Sequence, residues 1–167
     1  QAEKIEKKTR KQFPNGIESY GTDALRMTFY SMATHTKDIS FELGRLKGYR
    51  NFCTKIWNAA RFINGFPDGN EIFKPLNDND KWINEEFNKS SKKIERHINE
   101  YRLDFAINEV YEFFWGKFCD VYLEECKKTS KTQNLKPMLQ KILIMMHPFA
   151  PFITEEIHSL LFKSSII

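Results

Sequence analysis

The polar residues best suited to bind a partner recur every three or four positions between residues 47 and 61. They are Lys47, Asn51, Thr54, Asn58 and Arg61, with Arg50 at their edge. This spacing places side chains on one face of a helix. Asn and Thr are poor helix formers, since their side chains compete with the backbone for hydrogen bonds. We therefore interpret these six residues, the polar ridge, as a surface that hydrogen-bonds to another group.

Candidates for catalysis are few. Asp120 and Glu124 lie four residues apart, but no nucleophile or cation accompanies them, so a surface or capping role is favoured. His147 precedes Pro148, and we expect it to bond a free carbonyl at a helix end. The sequence has no glycine-rich phosphate loop, no zinc-protease or serine-hydrolase motif, and no zinc-site spacing of His and Cys. It predicts no catalytic residue and no metal site.

The composition is that of one folded domain with a mildly basic charge. The 167 residues are 41% hydrophobic and include 15 Phe, and the net charge of +4 permits an anionic partner without requiring one. The three cysteines are odd in number and form no CxxC pair, which favours a reducing compartment. The longest strongly apolar run, 142–146, is too short to span a membrane, so no membrane association is expected.

The N-terminal residues 1–12 are rich in cations. Two interpretations stay open for them: a solvated helix or tail, and a contact to phosphate groups. The cations are Lys4, Lys7, Lys8, Arg10 and Lys11, and the acids among them are Glu3 and Glu6.

Hydrophobic spacing predicts an all-α fold, a bundle of five to six helices with short loops. The expected helices run from Thr22–Asp23 to Met32, Phe41 to Ile63, Asp80 to Arg102, Asp104 to Lys127 and Leu135 to Met146, followed by a short one capped by Thr154. The fourth is aromatic on most sides, which is typical of a central helix. Its aromatic residues are expected to form core rather than a platform for stacking bases.

The segment GYRNFCTKIWNAARFI at 48–63 resembles the anticodon-binding helical domain of valyl-tRNA synthetases, whose pattern is close to GYRNFCNKLWNAxRF. Further similar blocks follow the same order: FPNGIESYGTDALRMTF at 13–29, KDI with Phe41 from residue 37, WGKFCDVYLE at 115–124 and HPFAPFITEEI at 147–157. Thr54 stands where the family usually has Asn. Two alternatives remain open: the same domain of an isoleucyl or leucyl relative, and a helical protein-interaction module that does not bind RNA.

The resemblance implies a parent enzyme that activates valine with ATP and Mg²⁺ and charges valine tRNA. The family's HIGH and KMSKS motifs are absent, so we expect this chain to be non-catalytic alone and without a cofactor. The resemblance also implies that residues 1–17 are the last part of the stem region that follows the KMSKS loop. Residues 18–167 would form the anticodon-binding bundle. The implied partners are valine tRNA and the catalytic and coiled-coil portions of the same chain, in a monomeric cytoplasmic protein.

The candidate residues for RNA or domain-interface contact are Asn51, Lys55, Asn58, Arg61, Arg50 and Lys37. A second role for the polar ridge is to bond the neighbouring GTDALR helix, with Asp23 pairing Arg50 or Arg61. The residues expected to be structural are Asp23, Arg26, Trp57, Trp115, Asp120 and His147.

Overall fold

The computed structural model describes residues 2–16, 18–34 and 41–167, and every regular element in these ranges is helical. The elements are α1 (Ala2–Gln12), α2 (Thr22–Met32), α3 (Leu43–Asn64), α4 (Asp78–Asn99), α5 (Leu103–Glu112), a π-helical stretch (Phe113–Leu123), α6 (Glu124–Thr129), α7 (Leu135–Met146) and α8 (Pro151–Phe162). The predicted all-α class is confirmed.

The elements α5, the π-helical stretch and α6 form one continuous rod, named here the long helix. The residues at both junctions, Phe113 and Glu124, keep right-handed helical backbone angles. The rod corresponds to the predicted fourth helix. With α2, α3, α4, α7 and α8 it makes a bundle of six helices in the described part that follows α1.

Aromatic side chains of the long helix form the centre of the bundle. Phe113, Phe114, Phe118 and Tyr122 are fully buried. Phe52 of α3 meets them, with its ring centroid 5.7 Å from that of Phe114 in an edge-on contact. Such aromatic pairs stabilise a core beyond the area that they bury. The prediction of a central fourth helix is confirmed, and a core role is confirmed for these four aromatic residues. Phe105, at the start of the same helix, is 44% exposed.

Helix α4 begins within two residues of its predicted start, whereas the predicted cap of the last helix is wrong. Helix α4 begins at Asp78, where the Asn77 side chain accepts a hydrogen bond from the Asp80 N–H at 3.0 Å and acts as the N-cap. Helix α8 begins at Pro151, whose fixed φ suits the first helical position. Thr154 is therefore inside the helix, and its buried hydroxyl donates to the Ala150 carbonyl at 2.9 Å.

Helix α4, which is the predicted third helix, ends earlier than predicted. Helix α4 stops at Asn99, and Tyr101 adopts a positive φ of 56°, which breaks the helix before Arg102. Arg102 then caps α5, and the buried Asp104 lies in its first turn rather than at the cap. The Arg102 guanidinium, 2.8 Å from the Asp104 carboxylate, lowers the pKa of that carboxyl group.

A buried polar network centred on Asp80 connects three parts of the bundle. The Asp80 carboxylate is 2% exposed. It accepts hydrogen bonds from the Tyr122 hydroxyl at 2.7 Å, the Asn134 amide at 2.8 Å and the Asn77 amide at 2.8 Å. It also accepts the Leu76 N–H at 3.0 Å. A buried carboxylate with four donors is well compensated for its lost hydration.

The same network holds the connection 65–77 between α3 and α4. The Asn134 amide donates to the Lys74 carbonyl at 2.6 Å, and its oxygen accepts from the Asn70 amide at 3.0 Å. Gly69 packs so closely on the backbone of Gln133 that an added Cβ would overlap it. A long connection without regular structure is thereby fixed in place against the start of α7.

No helix in the described ranges is long and apolar enough to cross a membrane. The cysteines Cys53, Cys119 and Cys126 are all unpaired. Burial raises the pKa of Cys119 to about 12 and that of Cys126 to about 11, which makes both thiols unreactive at neutral pH.

Candidate functional site

The polar ridge lies on the outer face of α3. All six of its residues are exposed. The opposite face of the helix is core, where Phe52, Ile56 and Ile63 are fully buried. The helix is therefore amphipathic, with the polar ridge turned to solvent and its backbone held firmly from behind.

Most residues of the polar ridge have no partner among the residues that the structure describes. Within the described residues, the side chains of Asn51, Asn58 and Arg61 form no hydrogen bond or ion pair. The Thr54 hydroxyl donates to the Arg50 carbonyl at 3.1 Å, within α3 itself. Two amides and a guanidinium are therefore available to a partner, each with fixed donors or acceptors.

Arg50 differs from its neighbours, because its Nη1 donates to the Tyr20 carbonyl at 3.1 Å. This bond joins the first half of the polar ridge to the segment before α2. The bond does not reach the GTDALR helix, the predicted partner, but the residue directly before that segment.

The long helix forms a wall along one side of the polar ridge. Lys55 reaches across, with its Nζ 3.7 Å from Asp120 Oδ1 and 4.9 Å from the ring centroid of Trp115. The Trp115 ring stacks on Tyr111, with centroids 5.5 Å apart. The structure thus brings together three residues that the sequence analysis had chosen separately: Lys55, Trp115 and Asp120.

An exposed aromatic residue, Phe62, ends this wall and was missed by the sequence analysis. Phe62 is 42% exposed. Lys127 Nζ lies 4.5 Å from the centroid of its ring, and Phe66 meets it edge-on at 5.0 Å. Phe62 follows Asn58 by four residues, so the spacing of the polar ridge itself could have identified it.

Helix α8 forms the opposite wall, which is mainly apolar. Trp57 is half-buried and, with Arg61, Leu160 and Leu161, lines a small hollow between α3 and α8. Phe152 at the start of α8 is 64% exposed. Trp57 therefore packs between the two helices, which fits its predicted structural role, and leaves an apolar margin beside Arg61.

Comparison with known proteins decides the family. The family described as "Anticodon-binding domain of tRNA ligase" matches residues 80–167, just over half of the chain. This chain belongs to that family. It is also 43% identical, over 93% of its length, to the "Valine--tRNA ligase" of Coxiella burnetii (strain RSA 493 / Nine Mile phase I). The chain spans about a fifth of that relative, 19% of its length.

Within this anticodon-binding domain, Asp23 has a different role from the predicted one. It pairs with neither Arg50 nor Arg61. Its buried carboxylate accepts the Ile153 N–H at 2.7 Å and the Phe152 N–H at 3.4 Å. The first N–H groups of a helix lack partners inside the helix, and a carboxylate there also interacts favourably with the helix dipole. Asp23 thus caps α8 from α2.

Arg26 lies at the same junction of α2 and α8. Its Nη2 donates to the Pro148 carbonyl at 3.2 Å and to the Tyr30 hydroxyl at 3.1 Å. Both contacts are internal to the domain and agree with the structural role expected of Arg26.

His147 bonds a hydroxyl group and not the predicted carbonyl. Its Nδ1 lies 2.9 Å from Thr154 Oγ1. The same hydroxyl also bonds the Ala150 carbonyl, 2.9 Å away, so it links His147 to the backbone at the start of α8. Lys37, the remaining candidate, lies outside the described residues.

Proposed function

We propose that this chain binds the anticodon stem and loop of valine tRNA, as one domain of a valine–tRNA ligase. The identity of 43% with a valine–tRNA ligase over 93% of the chain carries this proposal. The parent enzyme would use ATP and Mg²⁺ to activate valine and would charge its tRNA elsewhere. This domain would supply binding and orientation and no catalytic group.

The exposed residues at the C-terminal end of α3 have the chemistry that recognition of an RNA loop requires. Proteins read RNA loops by stacking unpaired bases and by hydrogen-bonding to their edges. Asn58 and Arg61 offer unpaired donors and acceptors, and the exposed ring of Phe62 offers a surface for one base. Stacking of a base on an aromatic side chain contributes about 1–3 kcal/mol. We assign base recognition to this group of three residues.

The first half of the polar ridge has a different proposed partner. The Arg50 bond to the Tyr20 carbonyl ties this end to the segment that precedes α2. We assign Arg50 and Asn51 to the joint with the catalytic portion of the ligase. The Asn51 side chain has no hydrogen-bond partner in the described chain, and the catalytic portion would supply one.

Three other expectations follow from the ligase assignment and remain predictions. They are the cytoplasmic location, the monomeric state, and the division between a stem at 1–17 and the bundle at 18–167. Ile17, at that boundary, lies outside the described residues.

Filter binding of the 167-residue chain to a valine tRNA transcript tests the proposal, with an anticodon-swapped transcript as the competitor. We expect tighter retention of the valine tRNA. Asn58→Ala and Arg61→Ala should each weaken it about three- to tenfold, the value of one or two hydrogen bonds. Asn88→Ala and Arg96→Ala, at exposed positions of α4, are the matched controls and should change nothing.

Equal retention of the two transcripts would exclude anticodon reading by this chain, and retention of neither would favour a protein-interaction module. Aminoacylation by the full-length ligase gives the stronger test of the polar ridge. Unchanged kinetics in both Asn58→Ala and Arg61→Ala, with helicity verified by circular dichroism, would reject the assigned residues.

A further inference from the structure

Helix α1 carries a row of lysines that the bundle does not use. Lys4, Lys7, Lys8 and Lys11 follow the i, i+3, i+4, i+7 spacing of a single helix face. They extend over about 10 Å of helix axis. Within the described residues none of the four forms a hydrogen bond or an ion pair. We call them the lysine row.

The charges of α1 are separated by sign. Its two acids, Glu3 and Glu6, lie on the neighbouring face, where the Arg10 guanidinium is 2.9 Å from the Glu6 carboxylate. Glu6 therefore neutralises Arg10, and within the described residues neither acid forms an ion pair with the lysine row. Like charges three and four residues apart destabilise a helix, so the row weakens α1 when nothing is bound to it.

Helix α1 also buries nothing that would explain its composition. Every side chain from residue 2 to residue 11 is exposed, and Ile5, its only large apolar residue, is 66% exposed. A helix of 11 residues without packing is marginal in water. Neither packing nor internal pairing accounts for the four lysines.

The end of α1 lies next to the polar ridge. The turn that follows α1 brings Phe13 and Gly16 against Leu43 and Lys47, around a cavity of about 310 Å³. Lys47 is the first residue of the polar ridge. A ligand that lies along the ridge would therefore come within reach of the C-terminal end of α1.

We infer that the lysine row binds the phosphate backbone of the RNA whose loop contacts the polar ridge. This inference rests on the proposed RNA-binding function. Ammonium groups bind phosphates as point charges, which gives affinity without sequence information. Phosphates bound at all four lysines would also remove the repulsion within α1 and stabilise its helical state.

The salt dependence of RNA binding tests this inference. The variant carries K4Q, K7Q, K8Q and K11Q, since Gln keeps a helix propensity close to that of Lys. The control carries K81Q, K89Q, K92Q and K93Q on α4, which removes the same charge from exposed positions. Affinities of both variants and of the unmodified chain are measured from 50 to 200 mM salt, with valine tRNA and with the anticodon-swapped transcript.

We expect the lysine-row variant to lose about tenfold or more in affinity at low salt. The slope of log K against log salt should become shallower by about 3 to 4, since each phosphate contact contributes about 0.9. The loss should be the same for both transcripts, because phosphate contacts carry no sequence information. The α4 control should keep the slope of the unmodified chain.

An unchanged slope in the lysine-row variant, or an equal change in the α4 control, would overturn the inference and leave anticodon reading intact. Equal affinity of the unmodified chain for the two transcripts would instead reject anticodon reading and leave the lysine row as a general phosphate contact. Absence of any RNA binding by the unmodified chain would reject both.

Discussion

The hydroxyl of Tyr122 should be one of the most valuable single polar groups for the stability of this domain. It is fully buried and donates to the Asp80 carboxylate at 2.7 Å, within the network that holds the 65–77 connection. Tyr122→Phe removes only this oxygen and leaves the ring in the core. The change therefore isolates one hydrogen bond to a buried charge.

The expected cost follows from the surroundings of Asp80. A hydrogen bond to a charged group contributes about 1.5–3 kcal/mol, and both groups of this bond are buried. For a chain of this size, each kcal/mol lowers the melting temperature by about 2–4 °C. We expect a decrease of about 4–8 °C for a loss near 2 kcal/mol.

A matched control is available in the same helix. The Tyr111 hydroxyl has no hydrogen-bond partner within the described residues, and its ring also packs on Phe52, at a centroid distance of 4.7 Å. Tyr111→Phe should change the free energy of unfolding by less than about 0.5 kcal/mol. Urea denaturation followed by circular dichroism would compare both variants with the unmodified chain.

The pH dependence gives an independent check. Burial raises the pKa of Tyr122 above its ordinary value of 10.0. A raised pKa stabilises the fold below the unfolded value, and this stabilisation is lost as the pH rises above it. The stability difference between Tyr122→Phe and the unmodified chain should therefore shrink above about pH 10. Equal stabilities of Tyr122→Phe and Tyr111→Phe at pH 7 would refute the reasoning.

Four further substitutions test the packing, the charges and the capping of the bundle. Gly69→Ala should destabilise the domain by about 1–3 kcal/mol, because the added Cβ meets the backbone of Gln133. Gly48→Ala has open space around it and should stabilise α3 by up to about 1 kcal/mol. Urea denaturation measures both changes. Two lysine ammonium groups lower the pKa of Glu86 from 4.5 to about 2. The free energy of unfolding should therefore decrease as the pH is lowered from about 4.5 to about 2. This decrease should be smaller in Glu86→Gln. Asp23→Ala should cost about 1–2 kcal/mol and speed hydrogen exchange at the start of α8, and unchanged exchange there would contradict its capping role.

The helices that carry strong periodicity were predicted well. Helix α3 was expected from Phe41 to Ile63 and runs from Leu43 to Asn64. The central place of the long helix followed from aromatic residues on most of its sides. Its π-helical stretch, Phe113–Leu123, was not predicted, because apolar residues on most of its sides hide the change in the number of residues per turn.

The contacts that join distant segments could not be predicted from local pattern. Asp23 accepts a backbone N–H from Ile153, which is 130 residues away in the chain. The sequence had instead suggested that Asp23, in the GTDALR segment, forms an ion pair with Arg50 or Arg61. Asn134 and Asp80 are 54 residues apart and gave no signal as partners. Only the packing of α2 on α8, and of α7 on α4, brings these groups together.

The composition of the polar ridge is the physical reason to regard it as functional. Asn is a poorer helix former than Lys, Glu or Gln, so two Asn residues on an exposed face weaken α3. Internal contacts do not offset this cost, since Asn51, Asn58 and Arg61 have no partner in the described chain. The opposite face is packed on Phe114 through Phe52, so the backbone that carries these side chains is rigid. Side chains that are unpaired, unfavourable for the helix and held in place suit recognition of an external partner, which supplies the missing hydrogen bonds at a small entropic cost.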